Sequence, residues 1–225
     1  MTTLTSGAAG IVHEKLVFGR RARVLSDWFA EFVPPAARVL DVGCGDGLIS
    51  SLLSSKRADI DVSGIDVLPR SSTHIPVQVF DGTSIPFEDA SFDVALFSDV
   101  LHHTENPAIL LREARRVAKR VLIKDHYRKG IAAGARLRFM DWVGNSRFGV
   151  ALPYNYWTEG QWNSAWQQVG LQPERLVTSL SLYPGYADWL FGSSLHFVAL
   201  LKRCDSIDEQ AEAALRILAP GATTG

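Results

Sequence analysis

The segment Val39-Leu-Asp-Val-Gly-Cys-Gly-Asp-Gly-Leu-Ile-Ser50 constrains this chain more than any other. A short apolar strand, Arg38 to Asp41, runs into alternate glycines at 43, 45 and 47, and a helix pattern follows from Leu48 to Ser54. Glycines so placed let the backbone turn sharply and let a ligand approach it closely. The helix start adds unpaired N–H groups and the positive end of a helix dipole.

A dinucleotide site needs a further glycine at position 48, where this chain has Leu48, and Asp41 at the strand end would repel a pyrophosphate. Both residues oppose an NAD-dependent oxidoreductase. S-adenosylmethionine carries an ammonium group and no phosphate, so for that cofactor an acid at 41 is an asset.

The strand and helix rhythm repeats. A helical spacing of apolar residues covers Ile11 to Val33 and stops at Pro34-Pro35. Strands are expected over Val62 to Asp66, Val77 to Phe80, Ser91 to Phe97 and Val121 to Lys124, with a helix over Pro107 to Ala118. Strands alternating with helices predict an α/β fold with a mainly parallel sheet covered on both faces. After Asp125 the rhythm breaks. His126 to Tyr156 is rich in glycine, arginine and aromatics, with a possible helix over Ala135 to Val143. Thr158 and Gln161 form a capping-box pattern that opens a helix to Val169. Final strands are expected over Arg175 to Leu182 and Leu195 to Lys202, joined by a loop bearing Tyr183, Tyr186, Trp189 and Phe191. A last helix is expected over Glu209 to Leu218.

Two further aspartates end strands. Asp66 lies about 20 residues past the loop, where an acid can accept hydrogen bonds from ribose hydroxyls. Asp81 closes the next strand, where a carboxylate can accept from an adenine amino group. Either one alone reads as a turn or cap residue. Three strand-end acids in register beside a glycine loop read as a site.

These pieces, with Gly-Ile-Asp-Val, Phe-Asp-Gly-Thr, Ile-Pro-Phe-Glu-Asp-Ala-Ser-Phe-Asp-Val-Ala, Val-Leu-His-His and Leu-Leu-Arg-Glu-Ala-Arg-Arg-Val, resemble the class I S-adenosylmethionine-dependent methyltransferases of the methyltransferase-11 type. The resemblance is clear from Arg38 to Asp125 and weaker to Lys202. It implies a Rossmann-like, seven-stranded, mostly parallel sheet with an antiparallel final hairpin and helices on both faces. It assigns Asp41, Gly43 and Gly45, with Cys44 between them, to the methionine end of S-adenosylmethionine. Asp66 and the adjoining Val67 fall to the ribose, Asp81 with Gly82 and Thr83 to the adenine, and Ser98 to the methionine side. One departure is Pro69, which stands where many relatives start a helix. The implied organisation is an N-terminal helical segment over 1–36, a methyltransferase domain over 37–204 with a lid insertion at about 126–157, and a C-terminal helix and tail over 205–225.

The implied activity is methyl transfer to a small organic molecule, with the acceptor atom open. A cofactor-binding regulatory protein on the same fold is the alternative. Ligands of open α/β sheets bind at the carboxyl ends of strands, which brings Asp99, His102 and His103, then Asp125, His126 and Tyr127, to the cofactor side. His103, His102 and His126 are the candidate bases, and His103 is favoured because Asp99 stands four residues before it. Each histidine reads equally well as a packing residue. His13, His74 and His196 are expected away from the crevice or are not fixed. The histidine spacing suggests no metal. Arg112, Arg115, Arg116, Lys119 and Arg120 read as a solvated helix face.

With 23 basic and 24 acidic residues the net charge is -1, which speaks against a nucleic-acid substrate. No apolar run approaches the roughly 20 residues that span a bilayer, and no secretory signal pattern is seen. The two cysteines, Cys44 and Cys204, suggest no disulfide framework, so a cytoplasmic location is expected.

Overall fold

The computed structural model describes residues 8–68, 70–130, 132–138, 154–183, 188 and 195–204, with side chains from residue 19 onward. Its elements are α1 (Ala8–Phe32), β1 (Arg38–Val42), α2 (Leu48–Lys56), β2 (Asp61–Asp66), β3 (Val77–Val79), β4 (Phe92–Ser98), a 3-10 turn (Leu101–His103), α3 (Pro107–Val117), β5 (Ala118–His126), α4 (Glu159–Gln168), β6 (Leu171–Val177) and β7 (His196–Arg203). One sheet carries all seven strands in the order β3-β2-β1-β4-β5-β7-β6. β1 to β5 pair in parallel, and β7 runs antiparallel to both β5 and β6. The mostly parallel sheet and its antiparallel final hairpin are therefore as the resemblance implies.

Successive side chains of a strand point to opposite faces, so a sheet covered twice needs two apolar sets. Val94 and Leu96 of β4 join Val39, Leu122, Val198 and Leu200 under α1 and α2, which contribute Leu25, Phe29, Phe32 and Leu53. Ala95 and Phe97 join Leu40, Val121, Ile123 and Phe197 under α3 and α4, which contribute Leu110, Leu111, Ala114, Trp162 and Trp166. Leu25, Phe29 and Phe32 recur at four and three residues, one face of a helix. Arg57 donates to the carbonyls of Ala30, Val33 and Pro34 at 2.7, 2.9 and 3.1 Å. This satisfies acceptors at the end of α1 that the two prolines leave open.

Several boundaries differ from the sequence reading. β6 begins at Leu171 although Pro173 lies within it. The proline is tolerated because β6 is an edge strand with an irregularity between Pro173 and Arg175. β5 extends through Asp125 and His126, so these residues lie in the strand and not after it. No helix occurs between β2 and β3 among the described residues, and Ile75 of that connection packs on Gly47. α4 carries the full capping box of Thr158 and Gln161. The helical stretch after β5 is seen at 133–138. Its continuation to Val143, the helix expected over Glu209 to Leu218, and most of the aromatic loop including Tyr186, Trp189 and Phe191 lie outside the described residues.

The basic cluster of α3 and β5 is mostly paired. Arg116 bridges Glu113 and Asp89, Lys119 meets Asp93, and Arg120 meets Glu174, at 2.7 to 2.9 Å. No helix among the described residues is long and apolar enough to cross a membrane.

Because Phe29 is fully buried between α1 and the sheet, Phe29→Ala should cost about 3–5 kcal/mol of stability, the range for removing a core aromatic ring. Urea denaturation reads this directly, and a loss below about 1 kcal/mol would place α1 outside the cooperative core.

Candidate active site

The glycine loop follows β1 and is tied to β2. The N–H groups of Gly43 and Cys44 donate to the Ile65 carbonyl at 2.7 and 3.2 Å. Gly43 and Gly47 both hold φ of 76°, the left-handed region that side chains rarely adopt. A Cβ on Gly43 would come within 2.6 Å of a Val100 methyl, and one on Gly47 within 2.4 Å of Ile75. Parallel pairing of β1 with β4 brings their ends together, and Gly43 lets the loop lie against Val100 just after β4.

Asp41 is buried, and its Oδ2 accepts a 2.6 Å hydrogen bond from the hydroxyl of Ser50 on α2. Its Oδ1 is buried with no hydrogen-bond partner among the described residues. Burial, opposed by the Ser50 hydrogen bond and aided by nearby Asp66, pushes the Asp41 carboxyl up to about 7. Asp66 accepts from the Gly45 and Leu68 N–H groups at 2.7 and 2.8 Å, which fixes the loop and leaves lone pairs on both oxygens. The Asp81 Oδ1 caps the turn after β3, accepting from the N–H groups of Thr83 and Ser84 and from the Thr83 hydroxyl. The half-exposed Val67 packs against Gly82. The Ser98 hydroxyl is buried without a hydrogen-bond partner among the described residues. Cys44 packs its sulfur toward Gly64. Burial and the charges of Asp41 and Asp66 push its thiol up, so it is not a thiolate nucleophile at neutral pH.

Beside this cradle lies a polar cluster at the ends of β4 and β5. His102 in the 3-10 turn shares a 2.7 Å hydrogen bond between Nδ1 and Asp125 Oδ1. The same oxygen accepts the backbone N–H of His126 at 2.8 Å and lies 3.2 Å from His126 Nδ1. Burial would raise the Asp125 carboxyl, but His102 and His126 hold it well below the usual carboxylate range. His102 packs against half-buried His103, the rings tilted at 43° with centres 4.0 Å apart, and stacks on Tyr156 at 5.5 Å. The Tyr156 segment is held over the turn by Asn155, whose N–H donates to the His102 carbonyl at 3.3 Å.

Asp99 does not serve His103 as the four-residue spacing suggested. It takes a left-handed φ of 60° after β4, which turns its carboxylate to Arg21 of α1 and Lys124 of β5. Within the turn, His102 pairs with a carboxylate, that of Asp125. Tyr127, expected at the crevice, is buried and stacked on Phe197 at 4.4 Å, on the side of the core occupied by α4. His196, expected elsewhere, joins the cluster. It pairs with His126 across β5 and β7, their rings 4.7 Å apart, and its Nδ1 lies 3.3 Å from Lys124 Nζ.

Sequence reasoning passed over Ser50, Arg21 and Lys124, expected His196 away from the crevice or unfixed, and took Tyr156 only as part of the lid insertion at about 126–157. His196 left a trace, as a polar residue just ahead of the apolar run Phe197 to Leu201. His102, Asp125 and His126 offer donor atoms all within 4.8 Å of one another, the two-imidazole, one-carboxylate set that transition metals use. Spacing along the chain hid this grouping. The Lys124 ammonium beside His126 and the Arg21 guanidinium on Asp99 oppose a dication there.

Residues 17–176 match the family of methyltransferase domains. With the fold and glycine loop above, the chain belongs to that family, whose cofactor is S-adenosylmethionine. The 2-methyl-6-phytyl-1,4-hydroquinone methyltransferase of Synechocystis sp. is 31% identical over 135 residues, 56% of this chain and 37% of that protein. A ubiquinone biosynthesis O-methyltransferase of Ralstonia nicotianae is 30% identical over 106 residues, 41% of this chain and 44% of that protein. The chain thus spans well under two thirds of either relative. A SAM-dependent methyltransferase of Aquifex aeolicus shares the fold, with a TM-score of 0.58 over 84% of this chain and 96% of its own, at 19% identity.

The residues fit that cofactor. The orphaned oxygen of buried Asp41 suits an ammonium group, and the side-chain-free Gly43 and Gly45 admit a ligand against the backbone. A carboxyl raised in the fold binds its proton more tightly there than in the unfolded chain. The ligand-free fold therefore loses stability as pH climbs from about 4 to about 7 through this group. The ammonium partner needs the ionised form. Affinity for S-adenosylhomocysteine should accordingly weaken below about pH 7, by up to tenfold per pH unit, and Asp41→Asn should remove that dependence. Calorimetric titration across this range checks it, and a flat wild-type profile would exclude Asp41 as the ammonium partner.

Proposed function

We propose that this protein transfers a methyl group from S-adenosylmethionine to a hydroxyl of a small, hydroxylated aromatic molecule, with His102 as general base and no metal. The observation that carries the reading is the buried His102–Asp125 pair at 2.7 Å beside the cofactor cradle. When bound, the cofactor supplies an electrophilic methyl on a sulfonium. Asp41, Gly43, Gly45 and Ser98 would hold its methionine end, Asp66 and Val67 its ribose, and Asp81, Gly82 and Thr83 its adenine.

The protein's own task is to orient the acceptor and manage one proton. A phenolic hydroxyl attacks carbon well only as it loses its proton, so a base near neutrality assists. With Nδ1–H donated to Asp125, the lone pair of His102 is on Nε2, and the carboxylate stabilises the imidazolium formed when that nitrogen takes the proton. Tyr156 shields one side of the ring from water, which strengthens the pair. His103, packed against His102 and half-buried, would flank the acceptor. The names of both relatives, a hydroquinone methyltransferase and a ubiquinone-pathway O-methyltransferase, support the phenolic class.

S-adenosylhomocysteine at about 100 times its Kd should stabilise the fold by about 2.7 kcal/mol, seen as a melting shift of several degrees, while NADH should give none. With a simple catechol or hydroquinone as acceptor, His102→Gln and Asp125→Asn should each lower kcat by about 10²–10⁴-fold while S-adenosylhomocysteine affinity changes little. Full kcat in His102→Gln would remove it as the base. Loss in His103→Ala alone would move the role to His103.

A further inference from the structure

The buried cluster contains charges that a His102–Asp125 pair does not need. Asp99 lies between Lys124 of β5 and Arg21 of α1, with Lys124 on Oδ1 and Arg21 on Oδ2. Its Oδ1 is also 3.5 Å from His126 Nδ1. His126 therefore lies between two carboxylates, Asp99 and Asp125. A carboxylate this deep that keeps only one of its two counter-charges, here Lys124, pulls harder on a proton at the nearest neutral base. Here that base is His126. A protonated His126 would bind Asp125 as an ion pair and compete with His102 for Oδ1.

We propose that Arg21 is a positioning residue of the acceptor site: by neutralising Asp99 it keeps His126 uncharged and so leaves Asp125 to orient His102. The consequence for turnover rests on the base assignment above, whereas the effect on His126 does not.

Among the described residues, the groups facing His126 come from every element packed on it. They are Asp99 after β4, His102 of the 3-10 turn at 4.8 Å between ring centres, Lys124 and Asp125 of its own strand, His196 of β7 at 4.7 Å and Tyr156 at 6.0 Å. Arg21 reaches it through Asp99. Burial and the charge of Lys124 lower the His126 imidazole to about 4, against the pull of Asp125 and Asp99. His196 is lowered likewise, by burial and by Lys124, with a contribution from Arg21 itself. The balance thus depends on the cations offsetting both acids. The guanidinium comes from the N-terminal helix, far from β4 and β5 in sequence, so docking of α1 completes the electrostatics of the site.

The test is an NMR titration of the histidine side chains in the full chain, with the His126 signal assigned by its loss in His126→Gln. In Arg21→Gln the His126 titration midpoint should rise by about one pH unit or more. Arg21→Lys should restore most of the wild-type value, and the double variant Arg21→Gln with Asp99→Asn should return it by removing the acid that Lys124 alone offsets only in part. In turnover, the acidic limb of the Arg21→Gln rate profile should move to higher pH. An unchanged His126 midpoint in folded Arg21→Gln overturns the proposal. If Arg21→Gln is too unstable to titrate, Arg21→Lys and the double variant decide: both must titrate near wild type, and a shifted midpoint in either overturns it. A shifted midpoint with an unmoved rate profile would keep the coupling and count instead against the base assignment.

Discussion

Everything at the site depends on three parallel strands ending at one edge. β1 pairs with β4 through Val39 to Asp41, and β4 pairs with β5 through Phe92 to Ser98. This register places Asp41, Ser98, Asp99 and Asp125 along one rim of the sheet. Carboxylates crowded at such an edge repel one another, and burial adds a desolvation cost. The fold answers each differently. Asp41 gets one hydroxyl and a raised pKa, Asp66 gets backbone N–H groups, Asp125 gets two imidazoles and a backbone N–H, and Asp99 gets two cations. The acid left least compensated, Asp41, lies where the cofactor's positive ammonium is expected. The most heavily compensated acids lie beside the histidines, where stray charge would spoil the proton balance.

Lys124 shows how closely this balance is drawn. It is fully buried, and burial pulls its ammonium down to about 8 against the pull of Asp99. A buried ion pair adds little net stability over apolar packing, but breaking one is costly. The pair therefore makes better sense as a device that fixes the Asp99 backbone in its left-handed turn, and with it the path into the His102 turn, than as a source of folding energy.

The glycine loop and its strand-end acids were legible because short local patterns carry them. Gly43, Gly45 and Gly47 are needed by backbone geometry, and Asp41, Asp66 and Asp81 close strands whose ends can be read from apolar runs. Asp81 also turned out to cap its own turn, the plainer use that its position always allowed. The acceptor half was harder. Asp99 and His103 are four apart, but a 3-10 turn and a positive φ replaced the helical turn that would have joined them. The true pairing, His102 with Asp125, spans two strands and follows from β4–β5 register, which no local pattern reveals. Arg21 and His196 reach the cluster from opposite ends of the described chain, and an ordinary helix position gave Arg21 no distinguishing mark. Pro173 masked the start of β6, because only the sheet order shows that the strand is an edge.

The placement of β7 has a consequence for how the chain is made. β7 follows β6 in sequence yet inserts between β6 and β5. While a ribosome is still producing the chain, β5 exposes an unpaired edge and β6 has no neighbouring strand to bond. Such edges invite pairing with other chains, and connections this long close slowly. Until residues 196–203 emerge, His126 also lacks its cross-strand partner, so the acceptor side cannot be assembled. The glycine loop with Asp41 and Asp66 needs only the first half of the chain. A growing polypeptide thus organises its glycine loop and strand-end acids well before its histidine cluster, and a ligand bound at that loop would steady an intermediate whose sheet is still open.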